Sequence, residues 1–105
     1  MSNVKLLFGC TGFEWDKHNS EKIWIKHEVS PSESEQIFFN LPLVVADSVK
    51  HSGVENRFYA LGRTDANRQL FVAFTVRANN IRIISSRDMS YNERKVYKSH
   101  EKENT

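Results

Sequence analysis

Apolar and polar residues alternate through the second half of the chain in three stretches: Arg57–Thr64, Gln69–Arg77 and Ile81–Arg87. A period of two is the pattern of a strand with one face on a core, so the three predict a β-meander. Asp65–Arg68 and Asn79–Asn80 separate them as turn sequences, since asparagine tolerates positive φ better than most residues. Leu43–Val49 predicts a short apolar strand ahead of them, joined to the meander by the polar loop Lys50–Asn56 with its Gly53. In the first half, Val4–Phe8 predicts an initial strand that resumes near Phe13–Trp15 after the Gly9–Gly12 break. Behind Asp16, a fitting N-cap, Ile23, Trp24 and His27 recur at helical spacing. Ser30-Pro31-Ser32-Glu33 joins an N-cap serine, a proline at the first helical position and a capping-box glutamate. The apolar residues of that second helix are Ile37, Phe38 and Leu41, and Pro42 stops it. Ser90-Tyr91-Asn92-Glu93 is a further capping box, opening a terminal helix through about Lys98. Residues 1–3 and the tail His100–Thr105 are expected to be flexible.

The order is strand, two helices, four strands, one helix. Hairpin-linked strands with helices before and after them predict an α+β fold. It would hold an antiparallel sheet of four to five strands, two N-terminal helices and one C-terminal helix, with the helices on one face. At 105 residues, with no repeat or long linker, the chain fits one domain spanning residues 1–105. A hydrophobic fraction of 39% is enough for a folded core. No apolar run reaches membrane-span length and no signal-peptide layout opens the chain. The lone Cys10 cannot form an intrachain disulfide and fits a reducing cytoplasm as a small core or edge residue.

A net charge of +2 conceals an uneven distribution. Glu14 to Glu55 holds eight acids and four lysines, whereas Arg57 to Lys98 holds nine basic residues and three acids. Between Arg57 and Arg87 there are six arginines, no lysine and one acid, Asp65. Arginine grips a phosphate with a planar, permanently charged fork, where lysine offers a point charge. Arginine-only usage on strands therefore points to an anion site, and a nucleic-acid backbone is the natural occupant. Solubilising strand edges is the plainer role for any single one of them. If Asn79–Asn80 is a two-residue turn, Ala78 pairs with Ile81 and Arg77 faces Arg82, a repulsion that an anion or a carboxylate between them would relieve. In that register Arg87 lies opposite Val72 and shares a face with Arg63.

Other chemistry is sparser. His18, His27, His51 and His100 have no zinc-ligand spacing and no companion cysteines, so no metal site is expected. Lys26-His27 offers a cation and a proton-transfer group, or simply complements the dipole at the helix C-terminus. Trp15 and Trp24 are expected in the core rather than as base-stacking platforms. No P-loop, Rossmann glycine motif or nucleophile elbow is present.

The order of particular residues carries more. Phe13-Glu14-Trp15-Asp16-Lys17 with Asn19, then Lys26-His27 before Val29-Ser30, resembles the opening of the BrnT toxin family. Arg57-Phe58 and Ala60-Leu61-Gly62-Arg63-Thr64 resemble its central block. Phe74-Thr75 with Arg77, Ile81-Arg82-Ile83-Ile84-Ser85 with Arg87, and Glu93-Arg94 with Tyr97 resemble its close, so the likeness covers about residues 13–97. It implies a bacterial type II toxin, a cytoplasmic, metal-independent endoribonuclease of RelE-like fold that needs no cofactor and inhibits translation. The implied partners are an RNA substrate and a BrnA-like antitoxin with a ribbon-helix-helix part. Two toxins and two antitoxins would form a heterotetramer that touches DNA only through the antitoxin and represses its own operon. By position, the resemblance links Arg63, Arg77, Arg82, His27 and Lys26 to catalysis and Arg57, Arg87 and Glu93 to RNA binding. Three residues depart from the family pattern: Glu28 and Asn67 replace glycines, and Val76 replaces a glutamate. The alternative is a toxin-like binding module, weak or inactive as an enzyme, that acts only in its antitoxin complex.

Overall fold

The computed structural model describes residues 4–47 and 56–103. Five strands form one sheet: β1 (Gly12–Glu14), β2 (Val44–Asp47), β3 (Phe58–Arg63), β4 (Gln69–Arg77) and β5 (Asn80–Asp88), in the order β1-β5-β4-β3-β2. Three α-helices accompany them, α1 (Lys17–His27), α2 (Pro31–Gln36) and α3 (Tyr91–Glu103). The α+β class is as expected, but the sheet is mixed, because β1 joins β5 in parallel while the other pairs are antiparallel. The chain makes a long excursion between β1 and β5, and that is what a parallel pair requires. No helix among the described residues is long and apolar enough to cross a membrane.

Both N-terminal caps form as the sequence dictates. Asp16 accepts the backbone N–H groups of His18 and Asn19 at 2.8 and 3.3 Å, and Ser30 and Glu33 complete a reciprocal capping box. α2 ends early, at Gln36, and continues as a 3-10 turn over Ile37–Phe39. That turn buries Ile37 against Gly62: a Cβ on Gly62 would lie 2.8 Å from the Ile37 Cβ, so only glycine fits that strand position. Val4–Leu7 is a 3-10 helix, not a strand. Its i, i+3 residues Val4 and Leu7 both pack on the core while Phe8 stays 76% exposed. A five-residue stretch with four apolar residues is compatible with either period, and core contact chose the helical one. α3 runs to Glu103, past the Lys98 end expected from the sequence, so His100 and Glu101 are helical. The predicted loop Lys50–Asn56 lies, apart from Asn56, outside the described residues, as do residues 1–3 and 104–105.

The helices do not share one face. Ile23 of α1, Val29 and Ile37 pack on Val45, Ala60, Leu70, Val72, Phe74, Ile81 and Ile83. A second cluster on the opposite face joins Met89 and Tyr97 to Val44, Leu61 and Phe71. The adjacent buried pairs Val44-Val45 and Ala60-Leu61 show why: a strand apolar at both parities must be covered on both sides. The Tyr97 hydroxyl is buried and donates to the Pro42 carbonyl at 2.7 Å; burial pushes its pKa up to about 12. Of the tryptophans, Trp15 is a core neighbour whose indole donates to Glu35, whereas Trp24 is 52% exposed, contrary to its expected place inside.

Arg68 is the polar knot of the fold. Its guanidinium reaches the carbonyls of His27 and Glu28 (3.1 and 2.9 Å), Glu33 (3.3 Å) and Asp88 (2.7 Å). It thereby caps the C-terminus of α1 and ties α1, α2 and β5 together. Glu28 ends α1 in the left-handed region at φ 53, and Asn67 lies at φ 67. Both residues, set where the resemblance implies glycine, therefore keep the backbone conformation that glycine would supply. Left-handed backbone costs a non-glycine residue about 1 kcal/mol, partly offset by the flexibility glycine adds to the unfolded chain. Glu28→Gly should accordingly raise stability by about 0.5 kcal/mol, seen as a small increase in Tm; a decrease would show that the Glu28 side chain stabilises more than its backbone strains.

Candidate nucleic-acid interface

Alternation along β4 sorts the arginines. Leu70, Val72 and Phe74 are buried on one face, and Gln69, Phe71, Ala73, Thr75 and Arg77 form the other. Arg82 pairs with Thr75, Arg87 with Phe71 and Arg63 with Gln69, so four arginines share this second face. The expected register is displaced. The turn is Ala78-Asn79, at φ 51 and 65, so Arg77 pairs with Asn80 rather than facing Arg82; the bulge between Ala73 and Phe74 then takes back one residue, so Arg87 faces Phe71 rather than Val72 and changes face. The pairing beside the turn shifts by two residues, which keeps Arg77 and Arg82 on their expected face and leaves them as diagonal neighbours. Val76, set where the resemblance implies a glutamate, packs on the opposite, core side, so no carboxylate is missing from the arginine face on its account.

Between the two guanidinium groups stands Glu14, paired with Arg82 across β1 and β5. One carboxylate oxygen is 2.5 Å from Arg82 and 4.0 Å from Arg77, and Asp16 is 3.7 Å from Arg82. The repulsion expected at this spot is therefore relieved by the chain's own carboxylates. Arg57 belongs to the same end of the sheet, one residue before β3 and next to Asn56, whose carbonyl accepts the Thr75 hydroxyl at 2.7 Å.

The remaining arginines stand apart. Arg87 makes a two-pronged bond to Glu93 at 2.8 and 2.9 Å, and its guanidinium carbon sits over the Phe71 ring, 4.2 Å from its centre. The Arg87 fork holds the Glu93 carboxyl below the usual carboxylate range. Arg63 donates through Nε to the Leu41 carbonyl at 2.9 Å and anchors the segment before β2. Its partner Gln69 is eight residues from Arg77 on β4, about 26 Å at ~3.3 Å per residue. Arg63 and Arg77 cannot hold the same phosphate.

Lys26 and His27 meet elsewhere. β1 covers β5 only over Asn80–Arg82, and α1 takes up the rest of that edge. It starts beside Arg82, which Asp16 touches, and ends beside Asp88, which Arg68 bridges to the His27 carbonyl. Ala73 pairs with Ser85 and Phe74 with Ile83, so Ile84 is the extra residue of a β-bulge. Bulges re-aim side chains and recur next to active sites. Here the bulge and α1 enclose a cleft of about 290 Å³ lined by Asn19, Lys22, Lys26, His27, Ile84 and Ser85, with no acid among its walls. Ten residues of α1 separate Asp16 from Lys26, about 15 Å along the axis. The Arg77–Arg82 pair and the Lys26-His27 cleft are thus two stations on one edge, not one cluster.

Sequence reasoning missed Glu14, Lys22 and Ser85. The strand of Glu14 is three residues long and its partner, β5, lies far along the chain, so periodicity gives no sign of their pairing. Lys22 was legible, being one helical turn before Lys26. Among the described residues no group of three or more histidine, cysteine or acidic side chains is placed to hold a metal ion.

Comparisons with known proteins bear on this geometry. A family model described as "Ribonuclease toxin, BrnT, of type II toxin-antitoxin system" matches residues 15–93. Among solved structures, the Brucella abortus ribonuclease toxin BrnT aligns with a TM-score of 0.55 at 18% identity, over 76% of this chain and 97% of that one. At that identity the likeness establishes the fold alone. Comparison with curated proteins finds no match.

Proposed function

This chain belongs to the BrnT family of type II ribonuclease toxins, and on that premise we propose that it is an endoribonuclease that works without a metal ion and uses the RNA's own 2′-hydroxyl as nucleophile. The observation that carries this reading is the acid-free cleft that sets His27 beside Lys26 and Lys22 at the β5 bulge. A scissile phosphate there lies against two ammonium groups, which stabilise the charge that builds in the transition state. His27 is the proton-transfer group, because histidine changes charge near neutral pH. The 2′-oxygen bonds to phosphorus as its proton leaves, and the bond to the 5′-oxygen breaks as that oxygen takes up a proton. The products are a 2′,3′-cyclic phosphate and a 5′-hydroxyl. Arg77, Arg82 and Arg57 grip a neighbouring stretch of the strand, and a phosphate entering there replaces Glu14 between the guanidinium groups. Arg63, by its distance, serves the fold.

Each phosphate contact on a single strand contributes about 0.7 to the slope of log affinity against log salt. Arg77→Ala and Arg82→Ala should each lower that slope by about 0.7 and weaken RNA binding evenly across sequences; an unchanged slope in both would remove these arginines from the interface. The partner set implied by the family likeness completes the proposal. A BrnA-like antitoxin neutralises the toxin in the cytoplasm, two copies of each assemble, and the ribbon-helix-helix parts repress the operon. The carboxylates already on Arg82 and Arg87 favour a second reading, a binding module without catalysis. Incubating antitoxin-free protein with RNA in EDTA separates the two: cleavage supports the enzyme, and intact RNA with tight antitoxin binding supports the module.

A further inference from the structure

We propose that Arg87, Phe71 and Tyr59 form a stacking subsite for a base of single-stranded RNA beside the Lys26-His27 cleft, an inference that rests on the ribonuclease function proposed for this chain. The three planar groups make a ladder across β5, β4 and β3. Tyr59 and Phe71 stack with centroids 5.4 Å apart and planes 20° from parallel, and the Arg87 guanidinium lies 4.2 Å above Phe71. The edges of Arg87 are occupied: both terminal nitrogens bond Glu93, and one also reaches the Asp88 carbonyl. A guanidinium so committed has no fork to offer a phosphate, and its charge is balanced. What it retains is its flat face, one side on Phe71 and the side chain still 35% exposed. Bases splayed from single-stranded RNA stack on aromatic rings and arginine planes of this kind.

The surroundings leave room for a base. Across the sheet, Tyr59 is flanked by Ala46 on β2 and Ala73 on β4, and Ala73 by Ser85 on β5, so partly exposed, small side chains surround the ring. Ser85 also lines the cleft, and Arg87 follows it by two residues, about 7 Å at the rise of a strand. That is a short step from a phosphate in the cleft to a base on the ladder. Stacking of this sort tolerates sequence, because every base has a π face. It makes the subsite a selector of unpaired over paired RNA.

Short single-stranded oligonucleotides with 2′-O-methyl riboses lack the nucleophile and report binding alone. Wild-type protein should bind an intact oligonucleotide about 5- to 100-fold more tightly than one made abasic at the stacked position, as anisotropy would show when the abasic site is moved along the strand. Arg87→Leu and Tyr59→Leu should lose that preference. Equal binding of all the abasic oligonucleotides by wild type overturns the subsite and needs no variant that might misfold; so does a full preference kept by both variants. Cleavage of the matching 2′-hydroxyl RNA is read in parallel. Cleavage without an abasic penalty overturns the subsite only, and a penalty without cleavage overturns the ribonuclease function while leaving the stacking site standing.

Discussion

His27→Ala is expected to slow single-turnover RNA cleavage by about 10²–10⁴-fold, the usual contribution of a positioned acid–base group. RNA affinity should stay within a few-fold of wild type, since the phosphate contacts come from other side chains. The variant is a usable probe because Arg68 bonds the His27 carbonyl, which the substitution keeps, and the ring adds only a weaker electrostatic pull on Asp88. Removing the imidazole therefore leaves the α1 cap in place. Lys26→Ala should cost about 10²–10³-fold by loss of electrostatic stabilisation. Its ammonium, at an exposed position of the last helical turn, has no fold role that would confuse the result. If His27→Ala cleaves RNA as fast as wild type, the cleft is not the reaction centre. Chemistry would then pass to the Arg77–Arg82 end, where Glu14 is the group able to take a proton.

Arg68→Ala is expected to destabilise the protein by about 2–4 kcal/mol, a fall in Tm of more than about 10 °C. Four acceptors on three elements lose their donor at once, two of them carbonyls at the end of α1. The side chain is 28% exposed, which keeps the figure below that of a fully buried ion pair. Lysine cannot restore it, since one ammonium does not span the fork's four partners. The same knot sets the acid limit of stability. Glu33 is held below its ordinary pKa of 4.5 by the Ser30 N–H and then by Arg68, and Asp88 below 3.8 by Arg68. Carboxyls depressed in the folded state stabilise it fully above their ordinary values and lose that contribution as pH falls through the folded ones. Wild type should thus lose stability as pH drops below about 4.5, measured by urea unfolding, and Arg68→Ala should show a shallower decline. Asp88 is 61% exposed, so solvent screens its share and Glu33 carries most of this knot's part of the slope, while Glu93, held down by Arg87, adds a part that Arg68→Ala leaves in place. Equal declines in the two proteins would show that Arg68 is not the source.

The strands and helices were largely legible, because their signals are local. β4 spans the residues its alternation predicts, and the capping residues at Asp16, Ser30 and Ser90 each mark a helix start. Val4–Leu7 was misread because five residues cannot separate a period of two from one of three. The β4–β5 turn was displaced by one residue because Ala78, which nothing in its chemistry recommends for positive φ, takes that conformation with Asn79. Asn67 was legible as a residue that tolerates positive φ, whereas Glu28 became intelligible only from its dihedral angle.

Sequence alone determined the α+β class, the family and the chemical inventory: arginines on strands and a Lys-His pair closing a helix. Which of those groups meet was decided by tertiary structure. A parallel edge strand brought Glu14 between Arg77 and Arg82, a bulge turned Ser85 toward Lys26 and His27, and strand length carried Arg63 out of reach. The physical reason is range. Capping and periodicity act over a few residues and are written where they act, whereas pairing β1 with β5 joins residues 68 apart, and no local preference specifies that register.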